Sequence, residues 1–251
     1  MLSGKVVVIT GSTSGIGLGT ARAAMAQGAK VFLHGPTAAA VEAASIELGG
    51  VPGLAVDLVL PNAGTDIIEG ALAAYGRIDA VVNNAGIFPR QTLADTDASF
   101  FDNMFAINAR SPLMVAQRAV EAFKAQGGGG SIVNIGSVNA YAGAPNLVAY
   151  SMSKGALMTM TRNLANALAE DLIRVNQLNL GWILTETEKL IQRQEGRPDD
   201  WFTTVPRHVA PIGRLLGPDD VAKHVLFWAS EQSAPVTGQV YEIVQAGFVG
   251  R

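Results

Sequence analysis

The stretch TGSTSGIG at residues 10–17 follows an apolar run at 6–9 and precedes a helix-like segment that begins at Gly15. Glycines permit a tight turn and let backbone amides approach a pyrophosphate, whose charge then meets the amino end of a helix. The spacing is G-x-x-x-G-x-G and differs from the more common dinucleotide fingerprint G-x-G-x-x-G. We interpret the stretch as a phosphate-binding loop, and ordinary turn glycines are the alternative that the stretch alone leaves open.

The alternation of apolar run and helix-like segment continues along the rest of the chain. Further short runs rich in β-branched residues stand at 31–33, 54–56, 80–82, 132–135 and 174–178. Such runs are typical of parallel strands buried on both faces, and the helices between them form the crossovers. We therefore predict an α/β fold, a Rossmann-like doubly wound parallel β-sheet flanked by helices on both faces.

The segment 183–211 interrupts this alternation within what is otherwise predicted to be a single dinucleotide-binding and catalytic domain over residues 1–251. It contains two adjacent aromatic residues and three prolines, and a helix is predicted to follow from Pro218 with Asp219 or Asp220 in its first turn. Insertions between a strand and a helix often form lids over active sites. We predict a substrate lid here, and an ordinary surface excursion is the alternative.

The composition argues against several classes of function. The net charge is -3 and no block of basic residues occurs, so nothing favours nucleic acid binding. The chain lacks cysteine, and its three histidines lie far apart, so no metal site is predicted. No segment has the length and apolarity of a membrane span or the form of a signal peptide, and we predict a cytoplasmic protein.

Tyr150 and Lys154 stand four residues apart in a segment that is predicted to be helical. This spacing places both side chains on one face of the helix, one turn apart. A free phenol has a pKa of about 10, too high to accept a proton readily at neutral pH, and a nearby ammonium favours the phenolate. The pair therefore predicts an acid–base tyrosine tuned by Lys154, although such a spacing also arises by chance.

Together these motifs resemble the short-chain dehydrogenase/reductase family over nearly the whole chain. The family's cofactor motif TGxxxGIG matches residues 10–17, its NNAG element matches residues 83–86, and Asp57 matches the residue that lies beside adenine. The resemblance implies an NAD(P)-dependent oxidoreductase that interconverts a secondary alcohol and a ketone. The cofactor-binding positions predicted on these grounds are Gly11, Ser12, Ser14, Gly15, Ile16, Gly17, His34, Gly35, Thr37, Asp57, Leu58, Asn84, Ala85, Gly86, Tyr150, Lys154, Gly181, Ile183 and Thr185.

The resemblance also completes a catalytic set. Ser137 matches the family's serine, and Asn108 matches the asparagine that holds a water beside the lysine, although singly they also suit a turn serine and a helix-surface asparagine. In oxidation, Tyr150 would take the proton of the substrate hydroxyl while hydride passes from carbon to the nicotinamide. Ser137 would hydrogen-bond the substrate oxygen. Lys154 would lower the pKa of the tyrosine and grip the nicotinamide ribose.

Two stretches depart from the family pattern. Leu180 replaces the proline of the usual N-P-G, so the loop beside the nicotinamide loses a residue of fixed φ, while Gly181 and the hydroxyl of Thr185 remain. Residues 244–247, VQAG, replace a common V-D-G-G in a stretch that lies at a subunit contact in many relatives. The resemblance implies a homotetramer or a homodimer.

Cofactor choice depends on the end of the second strand, where residues 33–37 are LHGPT. An acidic residue there would bond the ribose hydroxyls of NAD and repel a 2′-phosphate. Gly35 takes that place, as in many NADP-dependent relatives, but Pro36 replaces the arginine that often follows. We predict a slight preference for NADP(H) over NAD(H), with His34 and Thr37 as candidate contacts.

The predicted substrate site mixes aromatic rings with amides and arginines. This mixture suits a small polar alcohol or ketone, such as a sugar, a polyol or a hydroxy acid. One alternative is a 3-oxoacyl thioester reductase, which would need a basic surface for its carrier protein, and another is a catalytically silent dinucleotide sensor, which would not need Tyr150. The predicted substrate contacts, several of which serve only packing in the alternative interpretation, are Ser137, Asn139, Tyr141, Asn146, Trp182 and the segment 88–90.

Overall fold

The computed structural model describes residues 1–141 and 143–245, so Ala246 and Gly247 of the departure near the carboxyl end lie outside the described residues. Within these ranges seven strands alternate with eight α-helices. The strands are β1 (Val6–Ile9), β2 (Lys30–Gly35), β3 (Gly53–Ala55), β4 (Ala80–Asn83), β5 (Gly130–Ser137), β6 (Ile173–Leu180) and β7 (Val240–Ile243). The helices are α1 (Gly15–Ala26), α2 (Ala38–Glu47), α3 (Ala63–Tyr75), α4 (Ala98–Phe105), α5 (Ser111–Gln126), α6 (Val148–Ala167), α7 (Glu186–Gln194) and α8 (Pro218–Ala229).

All seven strands pair in parallel in one sheet of order β3-β2-β1-β4-β5-β6-β7, which confirms the predicted doubly wound α/β fold. The order reverses between β1 and β4, which are neighbours in the sheet but not in the chain. In open α/β sheets, ligands bind outside the carboxyl ends of the strands at such a reversal. The segments that follow β1 and β4 therefore lie where a ligand is expected.

Alternate residues of β1 face opposite sides of the sheet. Val7 and Ile9 belong to the apolar cluster formed with α1 and α8, whereas Val6 and Val8 belong to the cluster formed with α3 and α5. None of the four is more than 1% exposed. Each fully buried side chain of this size contributes about 1.5–3 kcal/mol to folding. Covering both faces in this way is why the strand reads as a continuous apolar run.

The seventh strand is not predicted by the sequence pattern, which ends with the run at 174–178. β7 lies at the edge of the sheet beside β6, and Tyr241 in it is exposed. A strand that is partly exposed carries polar residues among apolar ones, here as VYEI, and so lacks the continuous apolar run that marks the inner strands.

The segment 183–211 has a helix and a small apolar core of its own. Thr185 caps α7, its side chain accepting a hydrogen bond from the Glu188 backbone N–H at 3.1 Å. Trp201 packs with Ala210 and Leu215. The segment is thus an ordered excursion between β6 and α8, and its action as a lid stays a prediction.

The helix that follows this segment begins where the sequence places it. α8 starts with Pro218, and the Oδ2 of Asp220 accepts the backbone N–H of Gly217 at 3.0 Å. The expected acidic residue in the first turn is confirmed, and it fixes where the excursion rejoins the sheet scaffold.

Candidate active site

The glycine loop is too closely packed for larger residues. Gly11 has φ of +62°, and a Cβ on it would lie 2.9 Å from the Ala85 Cα. A Cβ on Gly17 would lie 2.2 Å from the Gly11 carbonyl oxygen. Both approaches involve backbone atoms that cannot move aside, so glycine is required at these two positions.

Among the described residues, no side chain caps the amino end of α1. Ser14 at the N-cap makes no side-chain capping bond, and no acidic residue lies in the first turn of this 12-residue helix. Unpaired N–H groups and the helix dipole together attract an anion. The loop and helix therefore fit the pyrophosphate of a dinucleotide, with Ser14 exposed at the opening and Ile16 packed against the core.

The element after β4 holds the glycine loop in place. The Asn84 Nδ2 donates to the carbonyl oxygens of Thr10 and Gly11 at 2.9 and 3.0 Å. The Thr10 hydroxyl oxygen accepts the backbone N–H groups of Asn84 and Ala85, each at 3.0 Å. Asn84 and Ala85 thus shape the predicted cofactor loop, and any direct contact with cofactor stays a prediction.

His34 lies inside the protein and not at the cofactor surface. It is 2% exposed, its Nδ1 accepts the Gly11 backbone N–H at 3.0 Å, and its Nε2 lies 3.0 Å from the Val56 carbonyl oxygen. Because Nδ1 accepts, the proton sits on Nε2 and donates to Val56. Burial lowers the pKa of His34, which favours this neutral form. Both ring nitrogens are used, so the structure corrects the expected side-chain contact to a positioning role.

Ser12 departs from expectation in the same way. It is fully buried, its hydroxyl oxygen accepts the His34 backbone N–H at 3.0 Å, and its own N–H donates to the His34 carbonyl oxygen at 2.9 Å. Its side chain is bonded to β2 and cannot reach a ligand from there. Ser12 therefore attaches the glycine loop to the sheet.

Gly35 at the end of β2 packs against the side chain of Thr13. A Cβ on Gly35 would lie 2.5 Å from the Thr13 methyl carbon, so a larger side chain would require Thr13 to shift. Thr37 is exposed and caps α2, accepting the Ala40 N–H at 3.3 Å. Asp57, two residues beyond β3, is also exposed, whereas the neighbouring Leu58 is buried in the core.

The loop after β6 faces the glycine loop. A Cβ on Gly15 would lie 3.6 Å from the Thr185 methyl carbon, which places the start of α7 directly opposite. Gly181 donates its backbone N–H to the Ile243 carbonyl oxygen at 3.0 Å, and Ile183 is buried in the core. Of these predicted cofactor residues, Thr185 is the one whose side chain borders the space above the glycine loop.

Tyr150, Lys154 and Ser137 meet at the carboxyl end of β5. Tyr150 is half-buried on α6, and Ser137 is the last residue of β5. The Lys154 Nζ lies 5.8 Å from the centroid of the Tyr150 ring and donates to the Ile135 carbonyl oxygen at 2.9 Å. Phe88, from the loop after β4, contacts the same ring edge-on at 6.2 Å between centroids. The structure thus brings three of the four predicted catalytic residues together.

The electrostatics of the phenol differ from the sequence expectation. Burial raises the pKa of Tyr150 to about 12, a hydrogen bond with Ser137 lowers it, and the charge of Glu188 raises it further. Burial lowers the pKa of Lys154 to about 8. The Lys154 ammonium points at a backbone carbonyl, so the expected lowering of the tyrosine pKa by Lys154 is not observed in the protein alone.

Asn108 lies in a π-helical turn at Ala106–Arg110 that joins α4 to α5, and not in a continuous helix. Its side chain is fully buried; it accepts the Ile87 N–H at 2.8 Å and donates to the Ile87 carbonyl oxygen at 2.8 Å. A Cβ on Gly86 would lie 3.2 Å from the Asn108 Oδ1 and 3.3 Å from the Lys154 Nζ. Asn108 is therefore near Lys154, but its amide holds the loop after β4, and its role with a water stays a prediction.

The predicted substrate residues surround this group unevenly. The Asn139 N–H donates to the Ser137 hydroxyl oxygen at 3.2 Å, and the Asn146 carbonyl oxygen accepts the Gln91 N–H at 3.0 Å. Tyr141 is exposed. Trp182 stacks on Trp201 with 5.0 Å between ring centroids. Contact of these residues with substrate stays a prediction.

Glu188, whose charge raises the pKa of Tyr150, is not among the predicted site residues. The sequence T-x-x-E at 185–188 is the signature of a capping box, in which the glutamate would bond back to the helix start. The structure shows only the first half of that box, the bond from the Glu188 N–H to Thr185. The Glu188 side chain instead turns inward, and no local sequence pattern reveals this.

Among the residues that the structure describes, no helix is long and apolar enough to cross a membrane. In the same residues, no group of three histidine, cysteine, aspartate or glutamate side chains is placed to hold a metal ion.

Comparison with known proteins places this site in a family. Residues 11–248 match a family model described as enoyl-(acyl carrier protein) reductase. The chain belongs to the short-chain dehydrogenase/reductase family. It is therefore an NAD(P)-dependent oxidoreductase acting on alcohols or carbonyls, as its relatives are named.

Three relatives illustrate the range of the family. L-rhamnose 1-dehydrogenase (NAD(P)(+)) of Sphingomonas sp. (strain SKA58) is 32% identical, with 95% of this chain and 94% of the relative covered. D-xylose 1-dehydrogenase of Caulobacter vibrioides is 34% identical, with 96% and 95% covered. The crystal structure of 3-ketoacyl-(acyl-carrier-protein) reductase from Brucella melitensis complexed with NADH has a TM-score of 0.86 at 31% identity, covering 97% of this chain and 98% of that one.

Proposed function

We propose that this chain interconverts a secondary alcohol and a ketone on a small polar substrate, such as a sugar, a polyol or a hydroxy acid. The observation that carries the proposal is the half-buried phenol of Tyr150, which hydrogen-bonds with Ser137 and has Lys154 beneath its ring. This group lies beside a glycine loop and a helix start that suit a dinucleotide.

Tyr150, Ser137 and Lys154 have different roles in proton transfer. A bound nicotinamide supplies or accepts the hydride. In oxidation the Tyr150 oxygen takes the proton of the substrate hydroxyl, and in reduction it gives that proton back. Ser137 holds the substrate oxygen where charge develops. Lys154, with its pKa lowered to about 8, is still protonated at neutral pH and acts as the proton reservoir behind the phenol.

For the cofactor, we propose a slight preference for NADP(H) over NAD(H). Gly35 supports it, because no carboxylate stands at the end of β2 to repel a 2′-phosphate. Initial rates with the two cofactors at equal concentration test this preference. A strong advantage for NAD(H) would refute it.

For the substrate, the named activities of the two sugar dehydrogenases support the polar class, while the solved ketoacyl reductase supports a thioester. We propose measuring nicotinamide absorbance with sugars, polyols and hydroxy acids in the oxidative direction, and with keto acids and 3-oxoacyl thioesters in the reductive direction. Turnover of the small polar compounds is expected. Turnover of thioesters alone would favour the reductase, and tight cofactor binding without any turnover would favour the silent sensor.

The role of Tyr150 is tested by Tyr150→Phe, which removes only the phenolic oxygen. Loss of a positioned acid–base group lowers kcat by about 100- to 10,000-fold. The affinity for cofactor, measured by fluorescence titration, is expected to stay within about two-fold, since the glycine loop is unchanged. The matched control is Tyr241→Phe, the same change at an exposed tyrosine of β7, which should leave kcat unaltered. Substantial activity of Tyr150→Phe would remove Tyr150 from the role.

A further inference from the structure

Glu188 is a buried carboxylate on a helix that otherwise carries its charges outward. It is 7% exposed, whereas the neighbouring Glu186 is exposed and pairs with Lys189 at 2.7 Å. A buried carboxylate is costly unless its oxygens receive hydrogen bonds. The partners of Glu188 therefore indicate what it is placed to do.

The two carboxylate oxygens of Glu188 differ in their hydrogen-bond partners. Oε1 accepts hydrogen bonds from the Trp182 Nε1 and the Gln192 Nε2, both at 2.8 Å, and the Arg90 Nη2 lies 3.8 Å from the same oxygen. Oε2 receives no hydrogen bond from any residue in the described ranges 1–141 and 143–245. One oxygen is thus anchored and the other is left available as a strong acceptor.

The nearby guanidinium does not neutralise this carboxylate. Arg90 forms its close bonds with Glu195, one of them at 2.6 Å between Nη1 and Oε2. Glu188 and Glu195 therefore share the Arg90 guanidinium. A second guanidinium, that of Arg197, lies over the Trp182 ring, 5.5 Å from its centroid.

Arg90 and Glu188 border the catalytic group. Arg90 follows Phe88, whose ring contacts Tyr150, and Trp182 follows β6, the neighbour of the strand that ends in Ser137. The charge of Glu188 is close enough to raise the pKa of Tyr150. Arg90 thus connects Glu188 to the loop whose Phe88 contacts the Tyr150 ring, and the charge of Glu188 acts on the phenol.

We propose that Glu188 is a specificity-determining residue whose free oxygen accepts a hydrogen bond from a second hydroxyl of the substrate. A carboxylate acceptor binds hydroxyl donors strongly and repels a substrate carboxylate. The inference rests on the proposed function and narrows it to uncharged polyhydroxylated substrates, sugars and polyols, at the expense of hydroxy acids.

The test measures ligand binding to the NADPH-loaded protein by calorimetry, because an alditol cannot be oxidised in a complex that already holds the reduced cofactor. The probes are tetritols, pentitols and hexitols, each paired with the aldonate of the same chain length and configuration, so that only the terminal group differs. The wild type is expected to prefer the alditol in at least one pair. Glu188→Gln is expected to weaken alditol binding about 10- to 100-fold, the loss typical of a charge-assisted hydrogen bond, and to strengthen aldonate binding.

Two further variants serve as controls for the charge and for the position of the Glu188 carboxylate. Glu186→Gln removes the same charge from the same helix at an exposed position and should leave the alditol-to-aldonate ratio unchanged. Glu188→Asp keeps the charge but withdraws it by one methylene, so it should weaken alditols while still rejecting aldonates. If Glu188→Gln does not fold, as judged by thermal melting and NADP⁺ affinity, Glu188→Asp decides the question.

The outcomes separate this inference from the proposed function. Failure of every alditol to bind, a wild-type preference for aldonates, or a ratio insensitive to Glu188 would overturn the inference. Turnover is followed separately by nicotinamide absorbance. Glu188-dependent alditol binding without turnover of any alcohol would overturn the proposed function and leave the inference standing, whereas turnover with a ratio indifferent to Glu188 would do the reverse.

Discussion

At the scale of single residues, the Tyr150 phenol is subject to opposing influences. Burial and the charge of Glu188 raise its pKa, and the hydrogen bond with Ser137 lowers it. Burial dominates, because transferring a phenolate out of water costs more than one hydrogen bond returns. The free protein therefore keeps Tyr150 protonated at neutral pH, the state needed to donate a proton to a ketone. In the oxidative direction, the positive ring of a bound nicotinamide would favour the phenolate.

The same balance predicts the pH profile of Glu188→Gln. A neighbouring negative charge disfavours the phenolate, so removing it lowers the pKa of Tyr150. In alcohol oxidation, which requires the deprotonated tyrosine, the acid limb of kcat/KM should move to lower pH. The Lys154 ammonium also lies at the ring, 5.8 Å from its centroid, and the substitution leaves it in place. The matched Glu186→Gln should not move the limb, and a limb that stays or rises in Glu188→Gln would contradict the electrostatic coupling.

The sequence predicts those contacts between site residues that follow from local spacing. Tyr150 and Lys154 are one helical turn apart, so their meeting needs no knowledge of the fold. Glu188 has two hydrogen-bond partners that are near in the chain, Trp182 and Gln192, and a distant ion-pair partner, Arg90. The partners of His34, Gly11 and Val56, are both distant in the chain. A sequence pattern does not encode such contacts, so a histidine beside the cofactor loop reads as a ligand although it is buried.

At the scale of elements, inner strands are predictable and interruptions are not. The strands that are buried on both faces are recognisable as apolar runs. β7 is not recognisable in this way, because Tyr241 in it is exposed. The π-helical turn at Ala106–Arg110 is also not predicted from the sequence. Its hydrogen bonds run from i to i+5, a local change that the periodicity of a long helix does not reveal. Asn108 within this turn accepts the backbone N–H of Ile87.

Arg90 attaches α7 to the loop after β4. We therefore predict that removing its charge lowers the local stability of α7. Arg90→Gln removes the bonds to Glu195 and the approach to Glu188. Losing a charge-assisted hydrogen bond between partly exposed groups lowers local stability by about 1 kcal/mol, so amide exchange in α7 should become about five-fold faster.

Hydrogen–deuterium exchange resolved to α7 measures this effect. The control is Arg193→Gln on α7 itself, where the ion pair with Asp199 lies between two exposed side chains and should contribute little. Equal protection of α7 in Arg90→Gln and wild type would show that Arg90 does not stabilise α7.

At the scale of the whole molecule, His34 connects three parts of the sheet that build the predicted cofactor site. Its ring joins β2 to the glycine loop after β1 through Gly11, and to the segment after β3 through Val56. A second proton would place a donor on Nδ1 facing the Gly11 N–H, so protonation and this arrangement are incompatible. Folding therefore holds His34 neutral, and the stability of the whole domain becomes linked to pH.

The sign of that linkage follows from the lowered pKa. An unfolded histidine binds a proton as pH falls through its ordinary pKa of about 6.5, while folded His34 stays neutral to lower pH. The unfolded state then binds more protons, so this group's contribution is fully present above pH 6.5 and is lost as pH falls below it. Between the two pKa values the free energy of unfolding should fall by up to about 1.4 kcal/mol per pH unit.

Urea unfolding followed from neutral to mildly acidic pH separates this contribution from that of the carboxylates. His34→Gln removes the titrating ring, so the protein should be less stable at neutral pH, because the bonds to Gly11 and Val56 are disturbed, but its stability should fall less steeply on acidification. The control is His208→Gln, at an exposed histidine of the excursion, which should keep the wild-type slope. A slope in His34→Gln as steep as that of the wild type would mean that the acid sensitivity of the domain arises elsewhere, and that the glycine loop tolerates a charged His34.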